Sequence, residues 1–449
     1  MSKQKIQLSD HFTYPRLLRF VLPAVGTMLF TSIYGIVDGL CVSNFVGKTA
    51  FAAVNLIMPL PQLLATIGFM LGTGGSAIVG ITLGEGDQKK ADRYFTLFLL
   101  AALVSVSVLA VLGIVFLRPI AVLLGAKGEL LDYAVRYGRI LMVSLPTFAL
   151  QNMFQSFFVT AEKPHLGFWF TVGAGCTNMV LDVLMVGIWG WGVEGAAIAT
   201  FISQLVGGVL PVFYFIDRSN SSRLHLCKTS FYSKVLRDAC INGSSELMTN
   251  LSMSLVNILY NYQLLRLAGE NGVAAYGVIM YAAFLFVAVF VGYAVGSAPI
   301  VSFHYGARNH AEVHNLYHKS LRLIAVVAVT LTLASMFIIP CVARIFVGYD
   351  AELLALTSRA FRLYALSFLI MGFNVYASSF FTALGDGVTS ALISFLRTLA
   401  FQVIAILLLP LLLGIDGIWL AVTAAELAAL AVSAAMLLTK DKMFHYRKV

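Results

Sequence analysis

The chain has 449 residues, 59% of them hydrophobic and only 11% charged, with a formal net charge of +9 and a mean hydropathy of +0.88. Soluble globular domains do not carry this composition, so the chain reads as an all-α, polytopic membrane protein with room for about twelve spanning helices and little else. The basic excess is spread over short polar breaks rather than gathered on one soluble face, which excludes a nucleic-acid reader.

In chain order, the opening stretch MSKQKIQLSDHFTYPR is polar and ends in no small-residue cleavage pattern, so no removable signal peptide is expected. Spans follow at roughly 17–42, 51–83, 94–117, 132–160, 166–188 and 195–216. The first carries Asp38 inside its apolar run, on one helical face with Thr27, Thr31 and Tyr34. The second contains GTGGSAIVG, which within a span reads as close helix packing rather than a phosphate loop. The fifth repeats the device of the first, with Thr171, Gly175, Asn178 and Asp182 at identical spacing. A basic loop with Arg218, Arg223, Lys228, Lys234 and Arg237 then divides an N-terminal lobe, 1–216, from a C-terminal lobe, 238–449, with the loop at 217–237.

The second half is expected to span at roughly 238–265, 273–303, 317–340, 353–384, 388–412 and 417–439. Its first helix places Glu246, Asn250, Ser254, Asn257 and Asn261 along one face. Arg397 lies well inside the eleventh span and Glu426 inside the twelfth. Basic residues, including Lys3, Lys5, Arg16, Arg19, Lys89, Lys90, Arg93 and Lys448, are about twice as frequent on the side of the termini, which predicts a plasma-membrane protein with both termini cytoplasmic and its basic surface against anionic lipid. Five scattered cysteines, Cys41 among them, form neither a disulfide framework nor a zinc pattern, and no cofactor or structural metal is expected.

The two halves repeat. Gly74, Ile78, Val79 and Gly84 meet Gly296, Ile300, Val301 and Gly306 at a constant offset of 222, and WGVEGAAIATFISQ from Trp191 meets LGIDGIWLAVTAAE from Leu413 at the same offset. A shift of six helices keeps both halves the same way up, so the lobes are expected to be related by a pseudo-two-fold along the membrane normal. VDGLCVSNFVGKTAFAAVNLIMP, LGEGDQKKA, NMVLD, GWGVEGAAIAT, GVAAYGVIMY and YGARN together make the chain resemble the multidrug and toxic compound extrusion (MATE) family, from about residue 14 to about 440. The resemblance implies a twelve-helix fold and cation-coupled export of organic, often cationic, compounds.

A carboxylate facing lipid is costly, so the Asp38 and Asp182 stripes should face protein or water. Their depths differ by only ~3 Å at 1.5 Å per residue, so they can meet in the outer half of the N-terminal lobe. Two carboxylates at close range titrate as a unit and make a proton site, while the same oxygens with Asn178 suit a desolvated Na⁺. The resemblance extends this cation-coupling set to Tyr137, Asn152 and Thr200. In the C-terminal lobe the offset carries Asp182 to near Ile404 and Asp38 to near Asn257, so the acidic pair is absent, leaving Glu246 as the charge of a cavity for polar or cationic cargo, with Glu426 as a further candidate. Matching depths on the seventh and eleventh spans predict that Glu246 and Arg397 form or share an ion pair in at least one state. The functional expectation is an H⁺- or Na⁺-coupled exporter that meets drugs and lipids, without nucleic acid, nucleotide hydrolysis or an obligate protein partner. A lipid-linked oligosaccharide flippase of the same superfamily is the alternative, and it would need several cationic side chains in the cavity.

Overall fold

A computed structural model describes residues 6–46, 48–348 and 350–447, without side chains at 39–45, 48, 345 and 346. Lys3, Lys5, Lys448 and the side chain of Cys41 therefore lie outside the described residues.

Among those residues the chain is helical with no strand. The first half runs α1 (Tyr14–Phe45), α2 (Lys48–Ile57), α3 (Pro59–Gly84), α4 (Gln88–Leu123), α5 (Glu129–Thr160), α6 (Pro164–Asp182), a π-helical turn (Val183–Ile188), α7 (Gly192–Gly208) and α8 (Leu210–Ile216). The second runs α9 (Ser233–Asn242), α10 (Ser244–Gly306), α11 (His310–Val347), α12 (Ala351–Ala365), α13 (Phe368–Ala383), α14 (Gly387–Phe395), a second π-helical turn (Leu396–Ala400), α15 (Phe401–Leu413), α16 (Ile415–Thr439) and α17 (Asp441–Phe444). Helix starts follow local side chains: Asp87 accepts from the Lys90 N–H and its repeat mate Asn309 from the Glu312 N–H, each satisfying a donor that the first turn leaves free.

Nine helices among the described residues are long and apolar enough to cross a membrane, or ten when α12 and α13, bent by 46°, form one broken span. The 63 residues of α10 would reach about 95 Å at 1.5 Å per residue. They are two spans, because Gly269 leaves the helical region at φ 61 and ψ −150, a conformation open to a residue without Cβ. α5 confines Glu129, Asp132, Arg136 and Arg139 to its first three turns and carries no charged residue thereafter. With α5 and both arms of α10 counted, the helices make up the expected twelve spans. Leu123, Phe337, Leu411 and Leu412 are each at least 80% exposed, as side chains facing lipid tails would be. Trp189 and Trp191 sit in ring contact at 5.3 Å near the face opposite the termini, where an aromatic belt belongs.

The lobes meet through small residues near the face that carries both termini. A Cβ at Gly84 of α3 would overlap the Phe303 carbonyl oxygen of α10, and a Cβ at Gly306 would overlap the Ile81 carbonyl oxygen. Phe303 and Gly306 are the repeat mates of Ile81 and Gly84, so the contact is reciprocal across the pseudo-two-fold. Gly80 in turn faces its own mate, Ser302.

On the same face, the segment before α1 bridges the halves. Leu8 and Phe12 are fully buried. The Leu8 N–H donates to Glu162 Oε1 at 2.9 Å and the Phe12 N–H to Glu312 Oε1 at 2.8 Å. Arg223, from the loop between the halves, also binds Glu162 Oε1, at 2.7 Å, while its guanidinium lies 5.0 Å from the Phe303 ring centre.

Candidate functional site

In the first half, α1 carries Asp38 and α6 carries Asp182, the last residue before the π-helical turn. Such turns widen the helix and recur at functional positions. Asp182 is fully buried and Asn178 only 2% exposed. The two carboxyl groups lie within hydrogen-bonding reach of one another. Yet neither oxygen of Asp182, nor Asp38 Oδ1, nor Asn178 Nδ2 has a protein partner. Two ionised carboxylates have no proton between them, so the contact becomes attractive only with a cation shared across it. Tyr137, buried on α5, lies near enough to feel both acids, and Tyr34 near enough to feel Asp38.

Thr200 is half-buried on α7 and donates its hydroxyl to the Ala196 carbonyl at 3.0 Å, which leaves its oxygen lone pairs free to accept. Asn152 departs from the expected grouping. It is 15 residues beyond Tyr137 on α5, about 22 Å along the axis, so the two cannot share one cation's coordination shell. Gln151, Gln155 and Gln204 bury carbonyl oxygens without partners in the same lobe, and a reading for charge passes over them.

Between the lobes lies a cavity of about 550 Å³, lined by Gln62, Thr73 and Ser76 of α3 and chiefly by second-half residues, among them Glu246, Ser254, Asn257, Arg397 and Glu426. Tyr260 and Tyr276 stack on its wall at 4.9 Å and 15°. Asp38 and Asp182 do not line it, so acid pair and cavity are separate places. The polar ladder is only partly a cavity wall. Asn250 turns its amide to the Glu246 carbonyl at 2.9 Å, and Asn261 borders a different cleft with Tyr262 and Glu270.

The Glu246–Arg397 pair, expected in at least one state, is not formed in this structure. Arg397 sits on the second π-helical turn, and its Nε donates to Glu426 Oε1 at 2.8 Å and Oε2 at 3.0 Å. The turn packs against both α10 and α16, so Arg397 has a carboxylate on either side, and here its guanidinium is turned to the one on α16. Asn374 Nδ2 completes Glu426 Oε2 at 2.7 Å, and Ser433 Oγ donates to Asn374 Oδ1 at 2.9 Å. Glu246 shares the cavity but makes no ion pair among the described residues. The sequence does not single out Asn374 and Ser433, although the offset of 222 carries Asn152 onto Asn374 and Gln204 onto Glu426.

Two like-oriented six-helix lobes, joined by small residues at one face and enclosing a cavity, define a duplicated membrane carrier. The MatE family model matches the chain twice, over residues 23–184 and 247–408, and the chain belongs to this family. It is similar to the multidrug export protein MepA of Staphylococcus saprophyticus, with 21% identity covering 95% of this chain and 94% of the relative. A Staphylococcus aureus protein of the same name is 20% identical over 96% and 95%. Among solved structures, an outward-facing multidrug resistance MATE family transporter superposes with a TM-score of 0.92 at 22% identity, covering 99% of both chains. A superfamily transporter of Pyrococcus furiosus, described by a binding pocket of reversed polarity, reaches 0.90 at 22% identity over the full length of both.

Proposed function

We propose that this protein is a secondary active multidrug exporter that exchanges inward H⁺ or Na⁺ for outward organic, often cationic, compounds by alternating access. Both termini are then cytoplasmic in a cell membrane, and the cavity between the lobes takes cargo. The names of the curated relatives and the family's fold support the export of drugs. The coupling rests on one observation: the buried contact between Asp38 and Asp182, whose oxygens lack protein donors. Occupation of that contact by a proton, or by Na⁺ with Asn178 and Thr200 as further oxygen ligands, favours one arrangement of α1 and α6. Release favours the other, and cargo in the cavity biases the same equilibrium from a separate place. A flippase for pyrophosphate-linked sugars is disfavoured because Arg397 is the sole basic residue on the described cavity wall and is already paired.

The test is ethidium efflux from proteoliposomes under an imposed pH gradient and, separately, an imposed Na⁺ gradient. One gradient should drive efflux in the wild type. Asp38→Asn and Asp182→Asn should each abolish driven efflux while the protein elutes from size exclusion as before. Near wild-type driven efflux in either variant would remove the pair from coupling.

A further inference from the structure

The charge content of the cavity specifies the valence of its cargo. Among the described residues that line it, three are charged: Glu246, Arg397 and Glu426. Two of the three neutralise each other. The Arg397 Nε bonds both Glu426 oxygens, the Glu426 side chain is 1% exposed, and Asn374 and Ser433 fix the pair from behind. The Arg397 side chain, 12% exposed against 1% for Glu426, is the more accessible member of the pair and presents positive charge close to Glu246. Glu246 is left as the one carboxylate without an ion-pair partner.

We infer that the cavity balances a single positive charge, and that Arg397 is a specificity-determining residue that admits monovalent organic cations and discriminates against divalent ones. This deepens the export reading and rests on it. A monocation beside Glu246 brings the cavity to neutrality. A dication leaves one charge uncompensated in a partly dehydrated space, with the guanidinium adding repulsion, where unit charges a few ångströms apart interact far more strongly than in water. The stacked tyrosines Tyr260 and Tyr276 supply a flat apolar wall that takes either cargo, so the discrimination is electrostatic.

Ethidium and propidium test this, because they share one aromatic ring system and propidium carries a second, quaternary ammonium charge. Binding to the full-length protein in nanodiscs is followed by dye fluorescence anisotropy. The wild type should bind ethidium at least about tenfold more tightly than propidium. Asn257→Asp, which adds a carboxylate at an exposed cavity position, should narrow or invert that ratio. Glu426→Gln frees the arginine charge and should weaken ethidium about tenfold, although the buried glutamate itself does not face the dye. Adding Arg397→Gln to Glu426→Gln removes the pair as a unit, restores the single negative charge and should restore ethidium binding. Equal wild-type affinity for the two dyes overturns the inference, as does a double variant that folds but stays as weak as Glu426→Gln. Binding of neither dye by the wild type overturns the cavity as cargo site, and the inference with it.

Discussion

Glu426 is a residue whose worth depends on its partner. Buried and holding Arg397 by two contacts, it cannot be removed without leaving a guanidinium unpaired within the fold, which costs about 3–5 kcal/mol when one member of a buried pair is lost. Glu426→Ala should therefore lower the thermal midpoint in detergent markedly, and Glu426→Ala combined with Arg397→Met should recover most of the loss. Asn374→Ala should act in the same direction but more weakly, by about 1–3 kcal/mol, because it strips one donor from Glu426 and leaves Ser433 without its acceptor. A scanning-fluorimetry series that ranks the double variant below the single one would contradict this account. Much of the chemistry at this scale is visible in the sequence, since an ionisable residue inside an apolar run announces itself. Which carboxylate Arg397 chooses is not visible. Depth along a helix can be counted from the sequence, but rotation about the axis is set by a π-helical turn that leaves no pattern in Leu396–Ala400. Asn152 shows the complementary limit: a family resemblance carries no depth, and helix arithmetic sets the residue about 22 Å along α5 from Tyr137.

Among the elements, α3 and the second arm of α10 bear the closest approach. Backbone carbonyls occupy the space a methyl group would need at Gly84 and Gly306, and backbone cannot swing aside as a flexible side chain can. Gly84→Ala and Gly306→Ala should each destabilise the packed face by about 1–3 kcal/mol, the usual cost of overpacking, and so shift the lobes toward opening on the side of the termini by roughly five- to a hundredfold. Spin labels on α4 and α11 near that face should report longer distances in both variants. Gly277→Ala, at a helical position with nothing within 4 Å of the added carbon, should leave distances and efflux unchanged. The repeat offset makes these glycines conspicuous in the sequence. Their facing one another across the axis is a property of three dimensions alone, whereas the broken helix at Gly269 falls where the sequence already divides one span ending near 265 from the next beginning near 273.

For the molecule as a whole, the decisive feature is that both halves hold the segment before α1. Glu162 takes the Leu8 N–H and Glu312 the Phe12 N–H, with His11 Nδ1 2.6 Å from the same Glu312 carboxylate and Lys319 Nζ donating to the Phe12 carbonyl at 2.7 Å. Rocking the lobes apart on this face must break one set of these bonds. Glu312→Gln keeps the shape and weakens every charge-assisted contact, at about 1.5–3 kcal/mol for bonds to an ionised group. It should raise the rate at which a cysteine placed at Ser302 reacts with a membrane-impermeant maleimide from the side of the termini. An unchanged labelling rate would show that the strap does not restrain this face. The strap is illegible in the sequence, which reads as a plain polar leader, because its partners lie 154 and 300 residues away.

The reciprocal contact of Gly84 with Phe303 and of Gly306 with Ile81 also bears on ancestry. A surface that fits its own copy turned by half a revolution is the surface a two-fold dimer of half-length chains would use. Gly80 against Ser302 marks where the axis passes and where the copies have since diverged: two glycines there would meet with room to spare, and the hydroxyl now fills that room from one side. Fusion of two such genes would have left the joining surface almost untouched while freeing each copy to specialise. One half now carries a pair of aspartates, and the other a cavity wall and a neutralised arginine.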